Sequence, residues 1–275
     1  MKVLFVASEC SPFIKTGGLA DVIGSLPAAL KKEEIDVRVV IPQYSDIPAS
    51  FKKKMKVKQS INVPLAWRNQ YCGIKEIEKD GITYYFLDNE YYFDRKGIYE
   101  HYDEAERFAF YNRAVLEMLP EVDFIPDIIH SHDWQAGLVS LYLKEFYSDN
   151  PLYNDISTIF TIHNLKYQGI YHPLILGDVL GLGSEYLTPE GMEHNGRINF
   201  MKAALNFSDK ITTVSKTYAR EIQTPYFGEG MDGLLRERSQ DLTGIVNGID
   251  YDLYNPLTDD HLFKNYRSSL KKKQK

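Results

Sequence analysis

Three stretches of the chain group residues able to do chemistry. Lys15-Thr16-Gly17-Gly18-Leu19-Ala20-Asp21-Val22 joins an ammonium and a carboxylate to adjacent glycines, while His130-Ser131-His132-Asp133-Trp134-Gln135 and His163-Asn164 set imidazoles beside a carboxylate and an amide. Paired glycines let a backbone approach a ligand closely, and N–H groups at a helix start favour an anion such as a diphosphate. The first stretch reads as an anion cradle, although Gly-Gly can serve only as a turn and Lys15 can be merely solvated. This loop satisfies neither G-x-G-x-x-G nor G-x-x-x-x-G-K-[ST], so no generic nucleotide site follows from it. Histidine, carboxylate and amide together suit ligand hydroxyls. A metal reading of His130, His132 and Asp133 fails for want of a complete ligand set, so no metal is expected. Internal hydrogen bonding accounts for at least one of the histidines.

Each stretch follows a strand-like run. Val3-Leu4-Phe5-Val6-Ala7 precedes the glycines, and Leu19, Val22, Ile23, Leu26 and Leu30 then recur at helical spacing. Asp36–Pro42 reads as a second strand, so the opening is a βαβ unit whose ligand loop lies at the carboxyl edge. In Pro126-Asp127-Ile128-Ile129-His130-Ser131-His132-Asp133 a short apolar strand leads straight into two histidines and a carboxylate, and Ser157–Ile162 reads as a strand ending in His-Asn, which places both polar groups at that same edge. Residues 55 to 90 read as an antiparallel insertion with Asp80-Gly81 as a hairpin turn.

Residues 104 to 119 carry Phe108, Tyr111, Val115, Met118 and Leu119 at helical intervals, a packing helix stopped by Pro120. The loop Tyr91-Tyr92-Phe93-Asp94-Arg95 with Tyr99 could touch a sugar face, but aromatic bulk favours a core role. Residues 170 to 208 suggest a helical insertion, with Ile198, Met201, Ala204 and Leu205 on one amphipathic helix. Ser215 reads as a helix cap and not a nucleophile, since no G-x-S-x-G elbow occurs. Gly228–Gly233 reads as a mobile surface loop, Leu242–Val246 as a last strand, and Lys271–Lys275 as a frayed or helical tail.

Composition excludes several classes. The 275 residues are 44% hydrophobic and 25% charged, with a net charge of −6, which fits a globular chain and not a general nucleic-acid binder. Cys10 and Cys72 cannot form a disulfide framework and read as buried thiols in a reducing compartment. Neither a signal-type leader nor a run of about 18 apolar residues is present, so a soluble, cytoplasmic protein without membrane contact is expected.

The opening octapeptide, together with Ser8-Glu9 and Pro12-Phe13, resembles the N-terminus of bacterial glycogen synthases and plant starch synthases. His130-Ser131-His132-Asp133-Trp134, Thr161-Ile162-His163-Asn164-Leu165, Thr212-Thr213-Val214-Ser215 and Gly244-Ile245-Val246-Asn247-Gly248-Ile249-Asp250 resemble that family in the same order. The resemblance implies an α/β fold, a Rossmann-like parallel sheet with helices on both faces and a β-hairpin insertion, forming the N-terminal half of a GT-B glycosyltransferase. Residues 1–250 would be the acceptor-side domain and 251–275 a linker, the nucleotide-binding C-terminal domain being absent and the isolated chain inactive or nearly so.

The implied activity is retaining transfer of glucose from ADP-glucose to an α-1,4-glucan such as glycogen, with no cofactor. Lys15, Gly17, Gly18 and Asp21 would then form the donor cradle. Asp133, His163 and Asn164 would hold the transferred glucose, Asn247 would lie close to it, and Tyr92, Asp94 and Trp134 would be weaker acceptor contacts. A different GT-B sugar transferase, or a carbohydrate-binding module without catalysis, remains an alternative.

Overall fold

A computed structural model describes residues 1–251 and 254–267, so the lysine-rich tail lies outside the described residues. In chain order the first half comprises β1 (Lys2–Val6), α1 (Gly18–Lys32), β2 (Asp36–Pro42), α2 (Ala49–Lys52), β3 (Lys56–Leu65), β4 (Arg68–Lys79), β5 (Ile82–Asp88), α3 (Glu90–Phe93) and α4 (Glu104–Glu117). The second comprises β6 (Ile128–His132), α5 (Val139–Phe146), β7 (Ser157–Ile162), β8 (Ile170–Tyr171), β9 (Glu193–His194), β10 (Arg197–Asn199), α6 (Phe200–Phe207), β11 (Lys210–Thr213), α7 (Lys216–Glu221), α8 (Asp232–Glu237) and β12 (Leu242–Gly244).

The main sheet runs β12-β11-β7-β6-β1-β2-β5-β4-β3. From β12 to β5 all neighbours are parallel, and the β3–β4 pair continues the sheet antiparallel beyond β5. Central strands covered on both faces need continuous apolar sequence, which is why Val3–Ala7 is buried throughout. Connections run one way from β1 through β2 to β5, then return to β6 on the other side of β1. The β1/β6 junction is therefore a topological switch point, where loops diverge and leave a crevice at the strands' carboxyl ends.

Two expectations change. The stretch from 55 to 90 is not wholly an insertion, because β5 pairs in parallel with β2 and belongs to the central sheet; only β3 and β4 form the antiparallel extension. Its Asp80-Gly81 turn is as expected, with φ of 54° and 72°. Residues 170 to 208 are mostly not helical: β8, β10 and β9 make a small antiparallel sheet before α6, the only α-helix there. Short two- and three-residue strands leave too little periodicity to read from sequence.

The packing helix is α4, and it is buried on nearly every side from Phe108 to Leu116. Tyr111 places its hydroxyl 2.8 Å from the carbonyls of both Ala7 and Val40, fastening the helix to the ends of β1 and β2. Asn112 accepts from the Leu138 N–H at 3.0 Å and donates to the Gln135 carbonyl at 2.7 Å, so the turn after β6 is clamped from below. Ser215 caps α7 by accepting from the Tyr218 N–H at 2.9 Å, and both cysteines are buried free thiols. The 228–233 loop is tied down, since the Glu229 carbonyl accepts from Gln168 and Met231 is buried. No helix among the described residues is long and apolar enough to cross a membrane.

Candidate functional site

The cradle sits where β1 feeds α1. Gly17 occupies the N-cap position in extended backbone, with no side-chain cap on the helix. A Cβ built on Gly17 would meet nothing nearer than Glu9 at 3.9 Å, and one on Gly18 would meet nothing within 4 Å. Neither glycine is demanded by packing, so the open space in front of the uncapped N–H groups is available to a ligand. Lys15 stands exposed beside it with its Nζ 2.7 and 2.8 Å from the two carboxylate oxygens of Asp21, a pairing that raises the lysine pKa. Asp21 thus holds the ammonium at the mouth of the cradle.

Two donors of the loop are already used. Glu9, only 3% exposed, accepts from the Thr16 N–H at 2.5 Å and the Thr16 hydroxyl at 2.9 Å. The carboxylate braces the loop from inside and leaves the helix N–H groups after Gly17 for an anion. Beside it the Ser8 and Tyr99 hydroxyls lie 2.9 Å apart.

Across the switch point, parallel register aligns His132 with Thr161, and the chain leaves β6 through Asp133 with φ of 56° and ψ of 176°. That region is one that side-chain-bearing residues rarely occupy and costs on the order of 1–3 kcal/mol. Compensation comes from the Asp133 N–H donating to the Thr161 carbonyl at 3.0 Å and from Oδ1 accepting from the His163 N–H at 2.8 Å and the Asn164 N–H at 3.3 Å. Burial pushes the Asp133 carboxyl up to about 7 against the opposing pull of those two backbone donors. A carboxyl titrating there both accepts and donates hydrogen bonds at neutral pH.

Three imidazoles lie behind Asp133. His130 and His132 stack with centroids 4.2 Å apart, as two residues on one strand face must, and Phe5 stacks on His132 at 5.2 Å. His130 Nε2 is 2.6 Å from the Thr161 hydroxyl, which is 2.6 Å from the Thr212 hydroxyl on β11. His132 Nδ1 is 3.0 Å from His163 Nε2. Burial lowers all three pKa values, His130 to about 3 and His163 to about 4, and the neighbouring imidazoles depress His130 and His132 further. The rings are neutral hydrogen-bonding groups and do not converge on an ion; among the described residues no group of three or more His, Cys, Asp or Glu is arranged to hold a metal.

The structure therefore brings Lys15, Gly17, Gly18 and Asp21 to one lip of the crevice, and Asp133, His163 and exposed Asn164 to the other. Asn247 is exposed beyond β12, and Asp94 is exposed at the end of α3. Two side chains do not fit the roles expected of them. Tyr92 is 0% exposed and donates its hydroxyl to Glu106 at 2.5 Å, while Trp134 is 6% exposed and packs on Phe108, Tyr171 and Gly169. Both are core residues, as aromatic bulk favours, and neither presents a ring to an acceptor. Sequence reasoning gave Glu9 no site role, although the Ser8-Glu9 dipeptide just past a buried strand was an available signal; it held Thr16 only as part of the cradle stretch and Tyr99 only as a possible sugar-face contact. Asn112 and Tyr218, whose hydroxyl accepts from the Leu165 N–H at 3.2 Å, carried no such signal.

Comparison with known proteins shows the family. Residues 2–237 match the family described as the starch synthase catalytic domain. The chain is 57% identical over 274 residues to a glycogen synthase of Desulforamulus reducens, covering 99% of this chain and 57% of that one. It is 53% identical over 266 residues to a glycogen synthase of Bacillus cereus, covering 97% and 56%. The catalytic domain of starch synthase IV from Arabidopsis thaliana, solved with ADP and acarbose, superposes with a TM-score of 0.88 at 31% identity, over 96% of this chain and 55% of that chain. The chain thus spans somewhat more than half the length of the relatives it matches. With residues 2–237 matched by the family model and relatives 53–57% identical over nearly its whole length, this α/β chain belongs to the starch synthase catalytic-domain family.

Proposed function

We propose that this chain forms the acceptor-side half of a cytoplasmic glycogen synthase, which transfers glucose from ADP-glucose to the non-reducing end of an α-1,4-glucan with retained configuration. The observation that carries the proposal is the pairing of an uncapped, ligand-accessible helix start and its Lys15 with Asp133, His163 and Asn164 across one switch point. The solved starch synthase IV domain, bound to ADP and acarbose, supports a nucleotide donor and a glucan acceptor for the same fold.

The physical work divides between the two lips. As the bond from the anomeric carbon to diphosphate lengthens, negative charge grows on the leaving phosphate and positive character on the sugar. The N–H groups at the start of α1 and the Lys15 ammonium stabilise the first. Asp133, held by two backbone N–H groups, and His163, held neutral by burial, orient the sugar hydroxyls, with the His163 carbonyl beside the anomeric carbon. No second carboxylate is placed as a nucleophile in this reading, so the departing phosphate oxygen takes the proton of the attacking 4-hydroxyl, giving transfer on the same face. Asn247 approaches the reacting sugar when the wall contributed by the remaining length of the relatives closes over the crevice and excludes water.

The test uses the protein at the full length of its relatives, with ADP release and glucan elongation from ADP-glucose and glycogen as readouts. Lys15→Ala removes one charge-assisted hydrogen bond, which is expected to reduce kcat/KM by about tenfold to hundredfold. Normal kinetics in that variant would refute the cradle, and absence of product from ADP-glucose with glycogen would refute the donor and acceptor.

A further inference from the structure

We propose that His132 is a positioning residue for His163: its Nδ1–H donates to His163 Nε2 and holds His163 as the Nδ1–H tautomer, so that the ring offers a ligand a donor and not an acceptor. The value of this to catalysis rests on the proposed function above; the tautomer itself does not.

The two nitrogens are 3.0 Å apart, and each ring is neutral at pH 7, so a single proton lies between them. Two arrangements are possible. If His163 donated, His132 would carry its own proton on Nε2, and that atom is buried without a hydrogen-bond partner. If His132 donates from Nδ1, only a lone pair is left at the buried Nε2. Orphaned N–H groups inside proteins are rarer than under-satisfied acceptors, because a bare donor forfeits its whole interaction with water. The second arrangement is therefore the one the burial selects. It places the His163 proton on Nδ1, for which no hydrogen bond is seen among the described residues.

The surroundings hold His132 for this task. Phe5 stacks on its ring with an interplanar angle of 15°, His130 stacks on it within the same strand face, and the residue is 1% exposed. His130 does not compete for the shared proton, since its Nε2 is engaged with the Thr161 hydroxyl. The His163 backbone is fixed independently through its N–H to Asp133, so the His132 contact sets the ring and not the chain. Which nitrogen of a histidine carries the proton is decided by the bond made at the other, and here that bond comes from inside the sheet.

The experiment labels the histidines of the 275-residue chain with nitrogen-15 and reads their ring nitrogens by long-range proton–nitrogen correlation at pH 7.5, with a His163→Asn sample for assignment. The expected spectrum shows His163 with a protonated Nδ1 and an unprotonated Nε2, and the same pattern for His132. A protonated Nε2 on His163 overturns the proposal. His132→Phe keeps a ring on Phe5 without a donor, and the His163 pattern is expected to lose its pure Nδ1–H character; an unchanged pattern in the folded variant overturns the positioning role. If that variant does not fold, the native spectrum alone decides. Failure of the full-length protein to elongate glucan would count against the proposed function and leave these nitrogen signals unaltered.

Discussion

Acidification from pH 7 to pH 5 should remove a large part of this domain's stability, because three desolvated imidazoles, His132 buried and His130 and His163 half-buried, cannot take up protons without leaving the fold. His130, His132 and His163 are held neutral, with folded pKa values of about 3 for His130 and about 4 for His163, and His132 well below the usual range. In the unfolded chain each protonates near pH 6.5. Protons then bind the unfolded state first, so stability that is fully present above that value is lost as pH falls toward the folded values. Each ring contributes about 2 kcal/mol to the loss between pH 7 and pH 5, or roughly 6 kcal/mol for the three. Asp133 acts in the opposite sense. Its carboxyl is raised to about 7, so the folded state gains a proton in the same window and recovers about 2 kcal/mol. A net loss of about 4 kcal/mol approaches the whole stability of a weak domain.

Urea unfolding at pH 7, 6 and 5 at constant ionic strength, followed by the fluorescence of Trp67 and Trp134, measures this directly. The midpoint should fall at each step with an unchanged slope on denaturant. His163→Asn should flatten the pH dependence by about half, since one ring's share is about 2 kcal/mol of a net loss of about 4, and Asp133→Asn should steepen it by removing the opposing group. Equal midpoints at pH 7 and pH 5, or a His163→Asn variant with the same pH dependence, would refute the burial argument.

Two substitutions separate folding from ligand contact. Gly18→Ala adds a methyl into empty space at the first residue of α1, where alanine is the better helix former by up to about 1 kcal/mol; the melting temperature should hold or rise, while the donor KM of the full-length enzyme rises. Gly169→Ala should do the reverse. Gly169 has φ of 65° and lies directly against the Trp134 ring, so strain and overpacking should cost at least about 2 kcal/mol, seen as a lower urea midpoint and a weakened near-ultraviolet tryptophan signal.

Local pattern alone was enough for the strand, glycine loop and helix at the start of the chain, for the strands ending at His132 and Ile162, for the Asp80-Gly81 turn and for the Ser215 cap. Each depends on neighbours within a few residues: an apolar run needs both faces covered, a two-residue turn needs positive φ, and a cap needs one side-chain oxygen near a free N–H. The order of motifs was likewise enough to indicate the family. It could not separate Trp134, which buries its ring, from Asp133 and Asn164, which sit at the edge beside it, because direction at a strand end is set by the backbone there; nor could it show that Tyr92 turns its ring inward from α3. The positive φ of Asp133 turns its carboxylate onto the His163 and Asn164 N–H groups. Only the fold decided that Glu9 would lie under Thr16, that Asn112 would clamp the turn after β6, and that His132 would meet His163. These contacts join residues 7, 26 and 31 positions apart; the first depends on how the loop folds back on itself, the second on how α4 packs under the sheet, and the third on the register of parallel strands, none of which a single segment's pattern contains.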